Sequence, residues 1–362
     1  MVDKFVHSDL RATVVGLGLI GGSIAWALKE AGAFVSGRDI EFSVENEALS
    51  RKLIDQVGSD EKADIVFICT PLEATVKEIE KELLIIGTKC VVSDVSGVKQ
   101  SIVEAISDPR FIGGHPMAGS EQNTLMGASP QLFNAATWVL TPTDKTDPQS
   151  YSFLQGIVSN VFQAVAVALP SKDHDEFVAV VSHVPHLTAA TLMTLASKAS
   201  DDHDWLFKLA AGGFRDMTRV AAGSPYIWPD VCIDNKEAIS KVINQLVIEL
   251  QELSSLIDSG DKELILAKLQ KAQFARQALP IRATRPEELC EIRIRISDAP
   301  GELVKVLDVA RVRGINIFDV EIAHSVDGSQ GILVLIVANI DRELLCSGFL
   351  EAGYGVSAHK LG

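Results

Sequence analysis

Metal-ligand spacing is missing from this chain. Its five cysteines, Cys69, Cys90, Cys232, Cys290 and Cys346, are odd in number and widely scattered, which argues for free, mostly buried thiols in a reducing cytoplasm rather than a zinc site or a disulfide framework. Long apolar runs are missing too. Stretches such as 331–338 stop far short of the roughly 20 residues that a helical membrane span needs. The first residues, MVDKFVHSDLR, carry charge where a secretory signal needs an apolar core, so a cytoplasmic location is expected. Basic charge is scarce: 33 lysines and arginines stand against 48 acidic side chains, a formal charge of −15. That balance argues against nucleic acid or an anionic membrane as partner, and an anionic ligand needs a local basic pocket.

What the chain does have is apolar content and one glycine cluster. At 362 residues and 47% hydrophobic it can bury a large core, divided over two or three domains. Residues 12–22, ATVVGLGLIGG, run a short apolar strand into Gly16, Gly18 and Gly21 in G-x-G-x-x-G register. The glycines suit a tight turn, close approach of backbone to a pyrophosphate, and close packing of the next helix, predicted over 23–31. Leu19 and Ile20 lie between them, where helix N–H groups would face the phosphates. A second strand, 33–36, leads to Asp39, about 20 residues on, where a carboxylate takes the ribose 2′-OH. Arg38 blurs the choice between NAD and NADP, because a guanidinium can hold a 2′-phosphate; Asp39 favours NAD.

The α/β alternation continues. Strands 64–69 and 90–93 are apolar throughout, as parallel strands buried on both faces are. Their carboxyl ends, Thr70-Pro71-Leu72 and 94–99 (DVSGVK), are expected on the nicotinamide side of the crevice. Later strands are expected at 111–115, 137–140 and 164–169, closing a first domain, 1–170. From 171 the pattern turns helical, with apolar positions at Phe177, Val180, Val181 and Val184, an interruption at Pro185, and a further helical stretch holding Phe214 to Arg219. A long helix opens with Asp234 and Glu237 in capping-box spacing and carries Ile239, Val242, Ile243, Leu246, Leu250, Leu253 and Ile257 on one face. That stripe suits packing against a second subunit, or burial within the chain. A linker at 278–286, with Pro280 and Pro286, divides this helical domain, 171–283, from a last module, 284–362.

Strands at 291–296, 315–326, 331–338 and 356–361, with helices after Gly301 and over 341–352, give that module a β-α-β-β-α-β order. With the turn Asp298-Ala299-Pro300-Gly301 and the Gly314-Ile315-Asn316-Ile317 stretch, it resembles an ACT domain, a ferredoxin-like α+β fold that senses amino acids. RNA-binding modules share the strand order but need exposed aromatics and basic charge, and neither is evident.

Four clusters occur in order: the glycine turn, 113–121 (GGHPMAGSE), 182–187 (SHVPHL) and 214–219 (FRDMTR). Together, over residues 10–280, they resemble the prephenate dehydrogenase family. The resemblance implies a Rossmann-type domain, a helical substrate and dimerisation domain, and NAD-linked oxidative decarboxylation of prephenate to 4-hydroxyphenylpyruvate in tyrosine synthesis. It also implies a homodimer and, through the ACT module, tyrosine as effector.

His115 follows a glycine pair and precedes a stiffening proline, so its imidazole can meet a ligand closely and take a hydroxyl proton. The matching family histidine bonds the ring C4 hydroxyl of prephenate. Arg215 and Arg219 lie one helical turn apart and offer a face for carboxylates. The resemblance makes Arg219 the anchor and leaves Arg215 open. By the same resemblance His186 lies near the substrate side chain, His183 supports the pocket, Trp228 walls it and Glu121 stands at its mouth. Core packing for Trp228 and a solvated rim for Glu121 compete with those roles. No further ligands join His183 and His186, so no metal is expected. One departure stands out. The family serine before the Val-Lys pair is here Gly97, preceded by Ser96, so either Ser96 reaches the site through a shifted loop or the bridging bond is absent. Lys99 fits the family, or it is a surface residue at a helix start. An arogenate-using enzyme and a non-catalytic sensor of nucleotide and amino acid are the two rival readings, the second kept alive by Gly97.

Overall fold

Apolar runs become a twisted sheet in the first of two compact units, Met1–Glu249 and Leu250–Gly362. The structure is a computed structural model that describes residues 10–119, 124–200, 206–278, 289–297, 299–324 and 330–360. In the first unit, β1 (Arg11–Val15), β2 (Phe34–Arg38), β3 (Gln56–Val57), β4 (Ile65–Ile68), β5 (Val91–Asp94), β6 (Phe111–Pro116), β7 (Thr137–Thr141) and β8 (Val165–Ala168) form one sheet in the order 3-2-1-4-5-6-7-8. Strands β1 to β6 are parallel; β7 turns back antiparallel to β6, and β8 runs parallel with β7. Every residue of β4 and β5 is buried, which explains the unbroken apolar run of β4 and encloses Ser93 and Asp94 at the end of β5.

Helices α1 (Leu19–Glu30), α2 (Phe42–Ser50), α3 (Leu72–Ile85), α4 (Gln100–Ala105) and α5 (Pro148–Asn160) accompany these strands. On one face Phe67 meets Phe162 and Trp138, and Trp138 stacks on Phe162 with centroids 5.0 Å apart. Its sequence neighbours Val66 and Ile68 join Ile79, Val92, Ile102 and Phe111 in a separate cluster. Burying each such side chain contributes roughly 1.5–3 kcal/mol. Helix α1 starts four residues before its predicted start, at Leu19 directly after Gly18. The two glycines that lower its propensity are held in the helix by packing.

The helical part follows with α6 (Ser171–Val178), a π turn (Ala179–His183), α7 (Val184–Ser200), α8 (Gly212–Thr218), α9 (Trp228–Asp234) and α10 (Lys236–Ser259). Pro185 does not interrupt the helix. Lacking an N–H, it cannot satisfy Val181, and the chain widens so that Val184 N–H donates to Ala179 O. Phe177, Val180 and Val181, expected on a buried face, are exposed, while Val184 is buried. By length and composition the stretch Ser171–Ser200 is apolar enough to cross a bilayer, contrary to expectation; core helices of soluble proteins pass the same test. The capping box at Asp234 does not form. The Asp234 carboxylate accepts from the Ser101 hydroxyl at 3.2 Å, and Asn235 joins α9 to α10 by donating to Val231 O and accepting from Ile239 N–H, leaving no free helix start. Along the predicted stripe Ile239 is buried, whereas Leu250 and Ile257 are exposed.

In the second unit the end of α10 is followed by α11 (Lys262–Gln277), capped by the Asp261 carboxylate. Then come β9 (Leu289–Ser297), α12 (Glu302–Val312), β10 (Ile317–His324), β11 (Gln330–Ala338), α13 (Arg342–Glu351) and β12 (Val356–Lys360). Their sheet is antiparallel in the order 10-11-9-12, and Ile292, Ile294, Leu333, Leu335, Val306 and Phe349 form its core. Gly301, at φ 85°, starts α12; the 278–286 linker falls almost wholly outside the described residues.

Candidate active site

The glycine turn is built so that side chains cannot enter it. Gly16 has φ 90°, and a β-carbon there would sit 2.5 Å from Cys69 O; one at Gly21 would sit 1.8 Å from Gly16 O. Strand β1, the end of β4 and the start of α1 therefore meet backbone to backbone. Gly18 caps α1 with no side-chain bond and no acid follows in the first turn, so the N–H groups of Leu19, Ile20 and Gly21 are left for an anion. Asp39, just past β2, accepts from Leu17 N–H at 2.7 Å and from Glu41 N–H at 3.0 Å. Arg38 is committed elsewhere. Its guanidinium pairs with Glu78 and with Glu82 and contacts the Ser59 hydroxyl, so it is not free for a 2′-phosphate. The cradle, the open helix start and the carboxylate fit a dinucleotide with a free ribose diol.

From that turn the carboxyl ends of the strands lead to the imidazole. Thr70 and Pro71 follow β4, and the Thr70, Thr75 and Ser96 hydroxyls form a row with spacings of 3.4 and 3.3 Å. Ser96 thus bonds Thr75. It is position 97 that faces His115: a β-carbon on Gly97 would lie 3.8 Å from His115 Nε2. On its other side His115 Nδ1 lies 2.8 Å from His174 Nε2, and His174 Nδ1 lies 2.7 Å from Asp175 Oδ1. Asp175 also accepts from Lys99 N–H at 2.8 Å and Gln100 N–H at 2.9 Å, capping α4 from outside. His115 is partly buried, and desolvation, with His174, Lys99 and His183 nearby, holds its pKa well below the usual histidine value.

Lys99 is no surface residue. It is fully buried with Asp94, to which its ammonium is paired, and burial pulls its pKa down against that attraction. Asp94 also accepts from Ser96 N–H at 3.0 Å and Gly114 N–H at 3.1 Å, tying the ends of β5 and β6 together.

Beyond Asp175 the contacts pass to the helices. Asn235 Nδ2 donates to Asp175 O at 2.8 Å and lies 3.2 Å from His183 Nδ1. His183 is buried, its pKa pushed down to about 4 chiefly by desolvation. Trp228 sits edge-on to His183 and stacks on His186, with ring centroids 3.8 Å apart. A β-carbon on Gly223 would lie 3.8 Å from His186 Cε1, which places the single turn Arg219–Ala222 against this stack. Arg219 is exposed, with no carboxylate paired to it among the described residues. Arg215 Nε donates to Ala210 O, so its guanidinium ties its own segment. The change from α-helix to a tighter turn at Arg219 breaks the regular spacing that put both arginines on one face. Glu121 lies outside the described residues. Among those described, no cluster of three His, Cys, Asp or Glu side chains is placed to hold a metal.

Sequence reasoning missed His174, Asp175 and Asn235. The signal was there: His174 and Asp175 fall in phase with buried Val178 and Ala179, so they are polar residues on the apolar side of α6.

Comparison with known proteins agrees with this arrangement. The chain matches the family model for the prephenate dehydrogenase nucleotide-binding domain over residues 24–167 and that for the prephenate dehydrogenase dimerization domain over residues 170–271. It is 31% identical to the prephenate dehydrogenase of Bacillus subtilis (strain 168), covering 95% of this chain and 97% of that one. Among solved structures it resembles Synechocystis arogenate dehydrogenase (32% identity, TM-score 0.67), over 75% of this chain and 100% of the other. It also resembles A. aeolicus prephenate dehydrogenase in complex with hydroxyphenyl propionate and NAD+ (28% identity, TM-score 0.70), over 75% and 98%. The chain belongs to the prephenate dehydrogenase family.

Proposed function

We propose that the protein catalyses NAD-dependent oxidative decarboxylation of prephenate to 4-hydroxyphenylpyruvate. The observation that carries this reading is the imidazole of His115, held from behind by His174 and turned towards the loop at the end of β5, on the same sheet edge as the glycine turn. Bound NAD supplies the two-electron acceptor for the ring C4–H bond. The cofactor is held by Gly16, Gly18, Leu19, Ile20, Gly21 and Asp39, with Thr70 and Pro71 beside it.

The chain's own residues do the rest. Nε2 of His115 accepts the C4 hydroxyl proton as a carbonyl forms at C4. Loss of carbon dioxide from C1 sends its bond electrons into the ring and leaves a phenolate at C4, which takes the proton back from His115 to become the phenol. Arg219 anchors a carboxylate, Trp228 and His186 wall the side chain, His183 supports the pocket, and Glu121 guards its mouth. Arg215 has a backbone role. Ser96 contacts the Thr75 hydroxyl and position 97 faces His115, which supports the reading in which the bridging bond is absent.

The resemblance to an arogenate dehydrogenase favours a second reading, with arogenate as substrate and tyrosine as direct product. Reduced-nicotinamide absorbance with prephenate or arogenate, each with NAD or NADP, tests both. Production only with prephenate and NAD is expected, and silence in all four combinations removes the enzyme.

The domains are read as 1–170, 171–283 and 284–362. Exposed Ile243, Val247, Leu250 and Ile257 on α10 support a homodimer formed through the helical segment. The β-α-β-β-α-β module is read as a ferredoxin-like ACT domain that binds tyrosine, in a soluble cytoplasmic enzyme.

A further inference from the structure

We infer that His174 and Asp175 are positioning residues that fix His115 in the tautomer with a proton on Nδ1 and a bare Nε2. The inference rests on the reading of His115 as the proton acceptor.

The argument is one of donor and acceptor inventory. Asp175 carries an acceptor-only carboxylate, and two of its bonds come from backbone N–H groups, those of Lys99 and Gln100. Its contact with His174 Nδ1, at 2.7 Å, is a hydrogen bond only if that nitrogen bears hydrogen. With that single ring proton on Nδ1, His174 has a lone pair on Nε2. That lone pair faces His115 Nδ1 at 2.8 Å, so Nδ1 must carry the donor. What remains on His115 is Nε2 with its lone pair, the atom nearest position 97.

The reverse polarity needs a second proton on His174. That is an imidazolium at 1% exposure, and it would leave Nδ1 of His115 as the bare nitrogen, the opposite of the tautomer inferred here. An imidazole with no partner on Nδ1 could carry its proton on either nitrogen, and the form protonated on Nε2 cannot act as a base there. The relay removes that choice. Asp175 is itself fixed by capping α4, so the orientation of the imidazole is set by the packing of α6 against α4 as well as by β6, which carries it. On taking up a proton, His115 keeps its acceptor on Nδ1 and the positive charge is shared towards Asp175.

The experiment is nitrogen NMR on the full-length protein labelled with 15N-histidine, with the His115 signals assigned through His115→Asn. Wild type is expected to show a pyridine-type Nε2 and a pyrrole-type Nδ1 for His115. His174→Phe should convert Nε2 to the pyrrole type and lower kcat for prephenate about 100-fold, with NAD affinity unchanged. His174→Gln, which restores an acceptor towards Nδ1, should return the bare Nε2 and bring kcat to within about tenfold of wild type. A pyrrole-type Nε2 in wild type overturns the proposal, as does His174→Phe with the wild-type tautomer and kcat. The wild-type spectrum needs no variant, so a misfolded His174→Phe leaves the refutation available. If the tautomer is as stated but prephenate is not turned over, the substrate reading fails and the relay stands.

Discussion

A β-carbon on Gly97 would stand 3.8 Å from Nε2 of His115, in ordinary van der Waals contact. Gly97 is not among the glycines with positive φ, so a serine can occupy the position without backbone strain. Its hydroxyl would then lie beside the nitrogen that receives the substrate proton. One added hydrogen bond of about 1 kcal/mol corresponds to roughly fivefold in rate. Gly97→Ser is therefore expected to raise kcat about fivefold in a steady-state assay with prephenate and NAD. A kcat at or below the wild-type value rejects the idea that this position faces the reacting hydroxyl.

His115 gives the pH dependence. A base works when unprotonated, and desolvation with three nearby basic side chains holds the His115 pKa well below its usual value. Turnover should thus be flat from about pH 6.5 upward and fall only on the acid side of the ordinary histidine range. His115→Asn should lower kcat by about 10³-fold or more, with NAD binding by calorimetry unchanged. An acid limb centred above the usual histidine value would contradict the enclosure of this side chain.

Much of this site was legible in the chain, for reasons that differ from residue to residue. Gly16 and Gly21 announce themselves because backbone contact forbids any other residue, and the sequence pattern is the direct trace of that sterics. The strands were legible because β4 and β5 are buried on both faces. His174 and Asp175 were not, because they reach His115 and Lys99 across separations of 59 and 76 residues, and no local pattern encodes a tertiary cap. Lys99 could read as a surface residue because Asp94, the carboxylate paired with its ammonium, lies on the preceding strand and not on its own helix. The helix junction at Asn235 was hidden by a plausible capping box, whose acid turned out to bind Ser101.

In the proposed reading, Asp39 selects the cofactor. Its carboxylate accepts from Leu17 N–H and Glu41 N–H at the edge of the glycine turn, while Arg38 is engaged by Glu78 and Glu82. Hydrogen bonds to a charged group are worth about 1.5–3 kcal/mol, so Asp39→Asn should raise the KM for NAD by roughly 10- to 100-fold. NADP should gain relative to NAD, because the repulsion of its 2′-phosphate is relieved. Equal loss with both cofactors would place Asp39 in the support of the turn and not at the ribose.

If tyrosine acts through the C-terminal module, a chain ending at residue 283 should keep prephenate turnover and lose tyrosine inhibition. Its core, around Ile292, Leu335 and Phe349, is a hydrophobic cluster of its own. Comparing inhibition curves of full-length and truncated protein decides the matter. Inhibition that survives the truncation unchanged assigns tyrosine to the catalytic pocket, where it competes as a likeness of the product.

Lys99 and Asp94 set a stability prediction that separates charge from packing. Both side chains are fully buried, and Asp94 also holds the N–H groups of Ser96 and Gly114. Lys99→Met removes the ammonium and leaves a carboxylate enclosed without its counter-charge, a change that costs about 3–5 kcal/mol. Adding Asp94→Asn removes the stranded charge while keeping a side-chain oxygen for one of the two N–H donors, although the other then faces an amide NH2. The double variant should therefore melt above Lys99→Met and below wild type in a thermal shift measurement with NAD absent. Were the double variant the least stable of the three, the two losses would be adding as independent packing defects, and the ion pair would not be the element that holds the ends of β5 and β6 together.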